Sequence, residues 1–247
     1  MLQQTQAARV EPAFVAFLER FPTVEALASA SRADVLRAWA GLGYNARAVR
    51  LWGAAREIVE RHGGRVPPSP DVLRTLPGVG PYTASAVASI AFGAPVVAVD
   101  TNVRRIVARA AFGTEPDEVP AAALRAAADR WADPQAPGDR NQALMDLGRE
   151  VCRPTPRCDA CPLAPWCRFR RAGRVGRAST RRQPAFEGSR RQVRGRVVEA
   201  LRARPSATVP QLAELTGFGL ERVREAVDGL VRDGVIGRSR GRVRLGA

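Results

Sequence analysis

All four cysteines of this 247-residue chain fall within sixteen residues, spaced Cys152-x5-Cys158-x2-Cys161-x5-Cys167. Four thiols that close together constrain the fold more than any other feature, because the chain around them must be a compact loop. The opening segment MLQQTQAARV lacks the basic-then-apolar layout of an export signal, so a cytoplasmic, reducing setting is expected. There, clustered cysteines favour a metal over disulfides. Zinc and a [4Fe–4S] cluster both accept four thiolates. A zinc ribbon pairs two C-x2-C knuckles, whereas one central pair flanked by two spaced cysteines suits a cubane whose irons need separate ligands. The spacing favours iron–sulfur and leaves zinc open.

Before the loop, apolar residues recur at helical spacing. Phe14, Phe17, Leu18 and Phe21 share one face, Ser31 is placed as an N-cap, and Ala46–His62 ends at Gly63-Gly64. Further helices are expected at 71–76, 82–92, 101–112, 121–131 and 140–151. Strand-like alternation is nearly absent, so the fold class is all-α. The expected organisation is a helical domain over 1–151, the cysteine loop at 152–167, a basic linker at 168–189 and a small domain over 190–247. That last domain shows three helical periods and then a hairpin ending in Val243-Arg244-Leu245, the pattern of a winged helix-turn-helix. Such a module contacts DNA or protein.

The 39 basic and 24 acidic residues leave a net charge of +15, which points to a polyanion, most commonly nucleic acid. No apolar run reaches the ~18 residues of a membrane span, and no basic amphipathic helix or lipid signal suggests a membrane surface. Between Arg168 and Arg204 stand 13 arginines and two acidic residues, either a solvated tether or a strap along phosphates. Every basic residue is arginine. With no lysine, no side chain can form a Schiff base, and only the terminal amine could. A lysine-dependent lyase mechanism is excluded.

Leu76-Pro77-Gly78-Val79-Gly80 separates two helical segments. Gly78 and Gly80 allow positive φ and close backbone approach, and amides at the next helix start can hold a phosphate. Further on, Asp100 is placed as a helix N-cap, where the helix dipole keeps a carboxylate ionised. Arg153 and Arg157 stand in the cysteine loop, positioned to face phosphates.

The run L-P-G-V-G-P-Y-T-A and the cysteine loop resemble the helix-hairpin-helix DNA glycosylases of the endonuclease III and MutY families. Those families usually have six residues in the first cysteine interval, where Arg153–Arg157 supplies five. The resemblance covers residue 1 to about residue 168. It implies a [4Fe–4S] cluster on Cys152, Cys158, Cys161 and Cys167, a catalytic Asp100, Asn102 in its support, and DNA contact at Gly78 and Gly80. A carboxylate at that position stabilises the positive charge that grows on deoxyribose as the glycosidic bond breaks.

Endonuclease III-type lyases carry lysine at the position of Tyr82, so the chain looks like the MutY-type monofunctional adenine glycosylases. Met1–Gln6, Gly41-Leu42-Gly43-Tyr44 and Asn141–Gly148 point the same way. By that likeness Leu2 and Gln142 line the pocket for a flipped adenine, Gln4 wedges into the duplex, Tyr44 lies at the DNA and Tyr82 assists catalysis. The ordinary alternatives are core positions for Leu2 and Tyr82 and polar helix positions for Gln4 and Gln142. The implied partner is double-stranded DNA containing a mispair of adenine with oxidised guanine or guanine, met by a nucleoid-associated monomer. The family's general acid is a glutamate two residues before the Met1 position, so either a coding frame that begins further upstream or a chain with little or no activity is expected. Asn45 replaces a second tyrosine, and the winged module stands where the family senses oxidised guanine. A thymine or uracil mismatch glycosylase and a non-catalytic iron–sulfur DNA-binding protein are the rival expectations.

Overall fold

The computed structural model describes residues 1–3, 5–176 and 185–246. The first helices are α1 (Ala7–Arg20), α2 (Val24–Ser29), α3 (Arg32–Ala38) and α4 (Ala46–His62). They are followed by α5 (Pro70–Leu73), α6 (Pro81–Phe92), α7 (Thr101–Val107), α8 (Ala121–Asp129) and α9 (Pro137–Asp146). Both α7 and α9 widen into a closing π-helical turn, Ala108–Phe112 and Leu147–Val151. The chain then forms α10 (Arg168–Arg171), α11 (Arg190–Arg202), α12 (Val209–Thr216) and α13 (Leu220–Arg232). A hairpin of β1 (Ile236–Ser239) and β2 (Arg242–Leu245) completes it, antiparallel, with Ile236 opposite Leu245 and Ser239 opposite Arg242.

Local chemistry sets many of these boundaries. Thr23, Ser31 and Asp100 accept hydrogen bonds from the amides of Ala26, Asp34 and Val103, three residues on, so each satisfies an orphan donor of its helix. Thr208 and Gln211 form a reciprocal capping box at α12. The π turn of α7 and helices α4 and α6 stop at Gly113, Gly63 and Gly93, each in the left-handed region. Several boundaries differ from expectation, among them the end of α8, expected at residue 131 and found at Asp129. The helix expected to reach residue 76 stops at Leu73, because a residue ahead of Pro77 is steered away from helical backbone. The helix expected from residue 140 starts at Pro137, whose fixed φ suits a first helical turn. The short α2 was not expected. Residues 168–171, expected within the linker, form α10 and bury Phe169; residues 177–184 of that linker lie outside the described residues.

The chain gathers into two compact units that are not consecutive in sequence. The first comprises Met1–Val66, Leu76–Gly78 and Gln183–Ala247. In it, α11–α13 and the hairpin share one hydrophobic core with α1–α4: Val35, Leu36 and Trp39 belong to the same buried cluster as Val197, Val198, Leu201, Leu230 and Ile236. Polar ties reinforce this. Arg202 donates to the Leu36 carbonyl at 3.2 Å and to Asn45 Oδ1 at 2.9 Å, and Arg32 donates to the Gly234 carbonyl at 3.2 Å. The second unit comprises Pro67–Thr75 and Val79–Arg182. Its core is Val97, Val103, Val107, Ala127, Ala128 and Leu144, contributed by the segment before α7 and by α7, α8 and α9. Among the described residues no helix is long and apolar enough to cross a membrane.

A shared core in the first unit has a measurable consequence. Leu201 is fully buried on α11, so Leu201→Ala is expected to lower unfolding free energy by about 2–5 kcal/mol, with faster amide exchange in α3 as well as α11. Loss confined to residues 185–246, with α3 unchanged, would contradict a common core.

Candidate active site and cysteine loop

The second unit brings three of the expected site residues together. Asp100 sits at the N-terminus of α7 with both carboxylate oxygens engaged: Oδ1 accepts from the Val103 amide at 2.7 Å and Oδ2 from Asn102 Nδ2 at 3.0 Å. The helix end thus orients the carboxylate. Tyr82, on the first turn of α6, donates its hydroxyl to Met145 Sδ at 3.3 Å. Burial and the neighbouring Asp100 charge raise the Tyr82 pKa, so it stays a neutral phenol that can donate a hydrogen bond. Gln142 is exposed on α9, a helix that packs on both α6 and α7.

Two neighbours fix the segment that delivers Asp100. Asn141 is buried and fully used: Oδ1 accepts from the Ala98 amide at 2.7 Å, and Nδ2 donates to the Val96 and Pro137 carbonyls at 2.8 and 2.9 Å. Gly148 is required on the other side, since a Cβ there would lie 2.6 Å from Asn102 Cβ. The sequence carried Asn141 inside a family motif but gave no sign of its backbone-bonding role.

The cysteine loop is tied to this site by two arginines that sequence reasoning missed. Arg105 donates from Nη2 to Asn102 Oδ1 at 2.9 Å and to the Gly148 carbonyl at 2.7 Å, and from Nε to the Cys152 carbonyl at 2.6 Å. Arg109 is only 2% exposed. It donates to the Arg153 and Pro154 carbonyls at 2.6 and 2.9 Å, pairs with Glu115 at 2.8 Å, and lies 4.8 Å from the Phe169 ring centre. Its Nη1 stands 3.8 Å from Cys152 Sγ. Burial works against the Arg109 charge, but Glu115 and Cys152 outweigh it and raise the pKa. The only advance signal was their spacing, Arg105 and Arg109 at i, i+4 on the helix that Asp100 starts.

The four cysteines are all partly buried and form no disulfide. They line one recess together with Arg109 and Phe169. Among the described residues, no three His, Cys, Asp or Glu side chains stand close enough to hold a single metal ion. The all-thiol donor set is one that a thiolate-ligated metal centre would use. Burial pushes the Cys152 thiol up, against the pull of Arg109 and Arg105, and burial with its cysteine neighbours raises Cys158. Ligation here therefore displaces protons. The side chains of Arg153 and Arg157 are exposed on the loop.

The remaining site residues lie elsewhere. In the first unit Leu2 is 65% exposed and Tyr44 48% exposed, the latter at φ 47°; neither occupies a core position. Gln4 lies outside the described residues. Gly78 adopts φ 80°, and a Cβ on it would press within 2.8 Å of Arg50 Cβ, so glycine is required there. Gly80 does not use the positive-φ freedom expected of it: it is extended at φ −85° and caps α6 ahead of Pro81.

A family model, HhH-GPD superfamily base excision DNA repair protein, matches residues 1–132. The adenine DNA glycosylase of Mycolicibacterium smegmatis is 44% identical over 243 residues, covering 96% of this chain and 81% of the relative. Among solved structures, a thermostable thymine-DNA glycosylase aligns with a TM-score of 0.64 at 29% identity, covering 69% of this chain and 80% of the other. A non-covalent endonuclease III–DNA complex aligns at 0.59 and 25% identity, covering 70% and 82%.

Because Arg109 joins a buried ion pair to two loop carbonyls, Arg109→Met is expected to destabilise the protein by about 3–5 kcal/mol, measured by denaturant unfolding. A change within about 0.5 kcal/mol, the range of surface substitutions, would show that the loop does not depend on it.

Proposed function

The chain belongs to the HhH-GPD superfamily of base excision DNA repair proteins, and from that premise we propose that it is a monofunctional adenine DNA glycosylase acting on mispaired duplex DNA as a monomer. The observation that carries this reading is the Asp100 carboxylate, oriented at the start of α7 within electrostatic reach of Tyr82 in a chain with no lysine. A base within a duplex is inaccessible, so it must be flipped out at a cost of a few kcal/mol, less at a mispair. Gly78 and the amides that follow Gly80 hold the backbone, Arg153 and Arg157 add phosphate contacts, Gln4 and Tyr44 enter at the lesion, and Leu2 and Gln142 receive adenine.

The bond between the sugar C1′ and the adenine nitrogen then breaks with its electron pair leaving on the base. Asp100 stabilises the cation left on the sugar, and its Asn102 hydrogen bond holds it in place without neutralising it. Water adds to C1′ and loses a proton, giving an abasic site. With no lysine to attack C1′, the strand is left intact. The departing adenine takes up a proton, a step that the family assigns to a glutamate acting as general acid, and the proton that water loses restores that acid.

Cys152, Cys158, Cys161 and Cys167 would hold a [4Fe–4S] cluster, whose role is to staple the loop and present a one-electron redox centre. Helices α11–α13 with the β hairpin act as a winged helix, joined to the loop by the basic segment. Thymine removal is a second reading, favoured by the likeness to a thymine-DNA glycosylase. The higher identity to an adenine enzyme favours adenine.

Three measurements test this. A duplex with adenine opposite oxidised guanine or guanine should be nicked only after alkali, and Asp100→Asn should slow base release at least about 10²-fold. No nick from either mispair by a chain that carries the family's glutamate, or no effect of Asp100→Asn, would overturn the assignment. Adding a glutamate and one residue ahead of Met1 should speed release about 10²–10⁴-fold; an equal rate would place the acid elsewhere. Purified protein should carry iron and sulfide that Cys161→Ser lowers, whereas zinc in their place would refute the cluster.

A further inference from the structure

Arg47, in the first turn of α4, is bonded to two separate stretches of backbone. Nη1 donates to the Met1 carbonyl at 2.9 Å and to the Gln3 carbonyl. Nη2 donates to Thr5 Oγ1 at 2.8 Å, to the Leu42 carbonyl at 3.0 Å and to the Gly43 carbonyl at 3.4 Å. The guanidinium carbon also lies 5.4 Å from the Trp39 ring centre and 5.6 Å from that of Tyr44. Trp39 is buried and donates to the same Gly43 carbonyl at 3.0 Å. This arginine is therefore not spent on solvent or phosphate, because both terminal nitrogens are committed to protein acceptors.

The turn it holds is conformationally unusual. Gly41, Gly43 and Tyr44 all have positive φ, of 81°, 67° and 47°. A tyrosine in that region is costly and persists where its surroundings over-determine it. Here the determinants are the stack on Arg47 and the anchored carbonyls of residues 42 and 43. In the other stretch the described residues 1–3 and 5 belong to no helix or strand, yet three of their groups bind the same guanidinium. Leu2 and Tyr44, exposed large apolar side chains of the two stretches, are thus held in register by one planar fork.

We infer that Arg47 is the positioning residue of the base-flipping surface, locking residues 1–5 onto the Gly41–Tyr44 turn so that Leu2 and Tyr44 meet the duplex in fixed register. The roles of Leu2 and Tyr44 rest on the proposed glycosylase reading; the locking does not. Lysine keeps the charge but lacks the planar fork, so it can neither span both stretches nor stack between the two rings.

The test compares Arg47→Lys and Arg47→Gln with the unaltered chain in two independent measurements. Amide exchange in residues 1–5 and 41–45 should accelerate in both variants while the α4 interior stays protected. Single-turnover base release at saturating enzyme should fall about 10–10²-fold, the scale on which misplacement near 1 Å acts. Affinity for a fully paired duplex should shift less than about threefold, since that binding reports phosphate contacts alone. Unchanged exchange in residues 1–5 in both variants would overturn the inference. So would a loss of duplex affinity as large as the loss in rate, which would make Arg47 a phosphate contact. If a chain that carries the family's glutamate releases no base from any mispair, the glycosylase reading fails instead, and the exchange measurement alone decides whether Arg47 locks the two stretches.

Discussion

The site depends on the guanidinium of Arg105. Its fork reaches Asn102 Oδ1, the Gly148 carbonyl and the Cys152 carbonyl, three groups from the start of α7, the end of α9 and the head of the cysteine loop. Asn102, held from one side, turns its amide nitrogen to Asp100 on the other. An asparagine amide free to flip could present either end to the carboxylate; one whose oxygen is held by a cation presents only its donor. The orientation of Asp100 is therefore specified through Arg105, and the cysteine loop enters that specification through one carbonyl. Gly148 allows α9 to come close enough for this arrangement to close.

The same device recurs through the chain. Arg32, Arg47, Arg105, Arg109 and Arg202 all point guanidinium nitrogens at backbone carbonyls of other segments. A guanidinium suits this work, since its donors diverge in a plane and its charge strengthens each bond in a partly buried setting. A net charge of +15 consequently overstates the cations left for DNA. Several of the arginines are internal bolts, whereas others, such as Arg153 and Arg157, are exposed.

Much of this was legible in the sequence, and what was not has identifiable causes. The caps at Ser31 and Asp100, the stop at Gly63 and the closing hairpin were readable because short-range chemistry decides them. Helical periodicity marked Val197, Val198 and Leu201 as one apolar face. It could not say that this face shares a core with Val35, Leu36 and Trp39, because a period identifies a face and not its partner. The resemblance brought Asp100, Asn102 and Tyr82 to one site, but it did not single out Arg105 and Arg109, whose acceptors are distant in sequence. Gly78 and Gly80 looked alike in sequence and differ in backbone, since the helix start at Pro81 requires an extended residue before it.

The most direct test of this account is amide exchange at Val103, whose N–H is the group that Asp100 Oδ1 accepts. In Arg105→Met the Asn102 clamp is released, so protection at Val103 should fall, and Asn102→Ala should produce the same fall without adding to it in the double variant. Unchanged protection at Val103 in Arg105→Met would contradict the account, because the carboxylate would then be held by its helix alone.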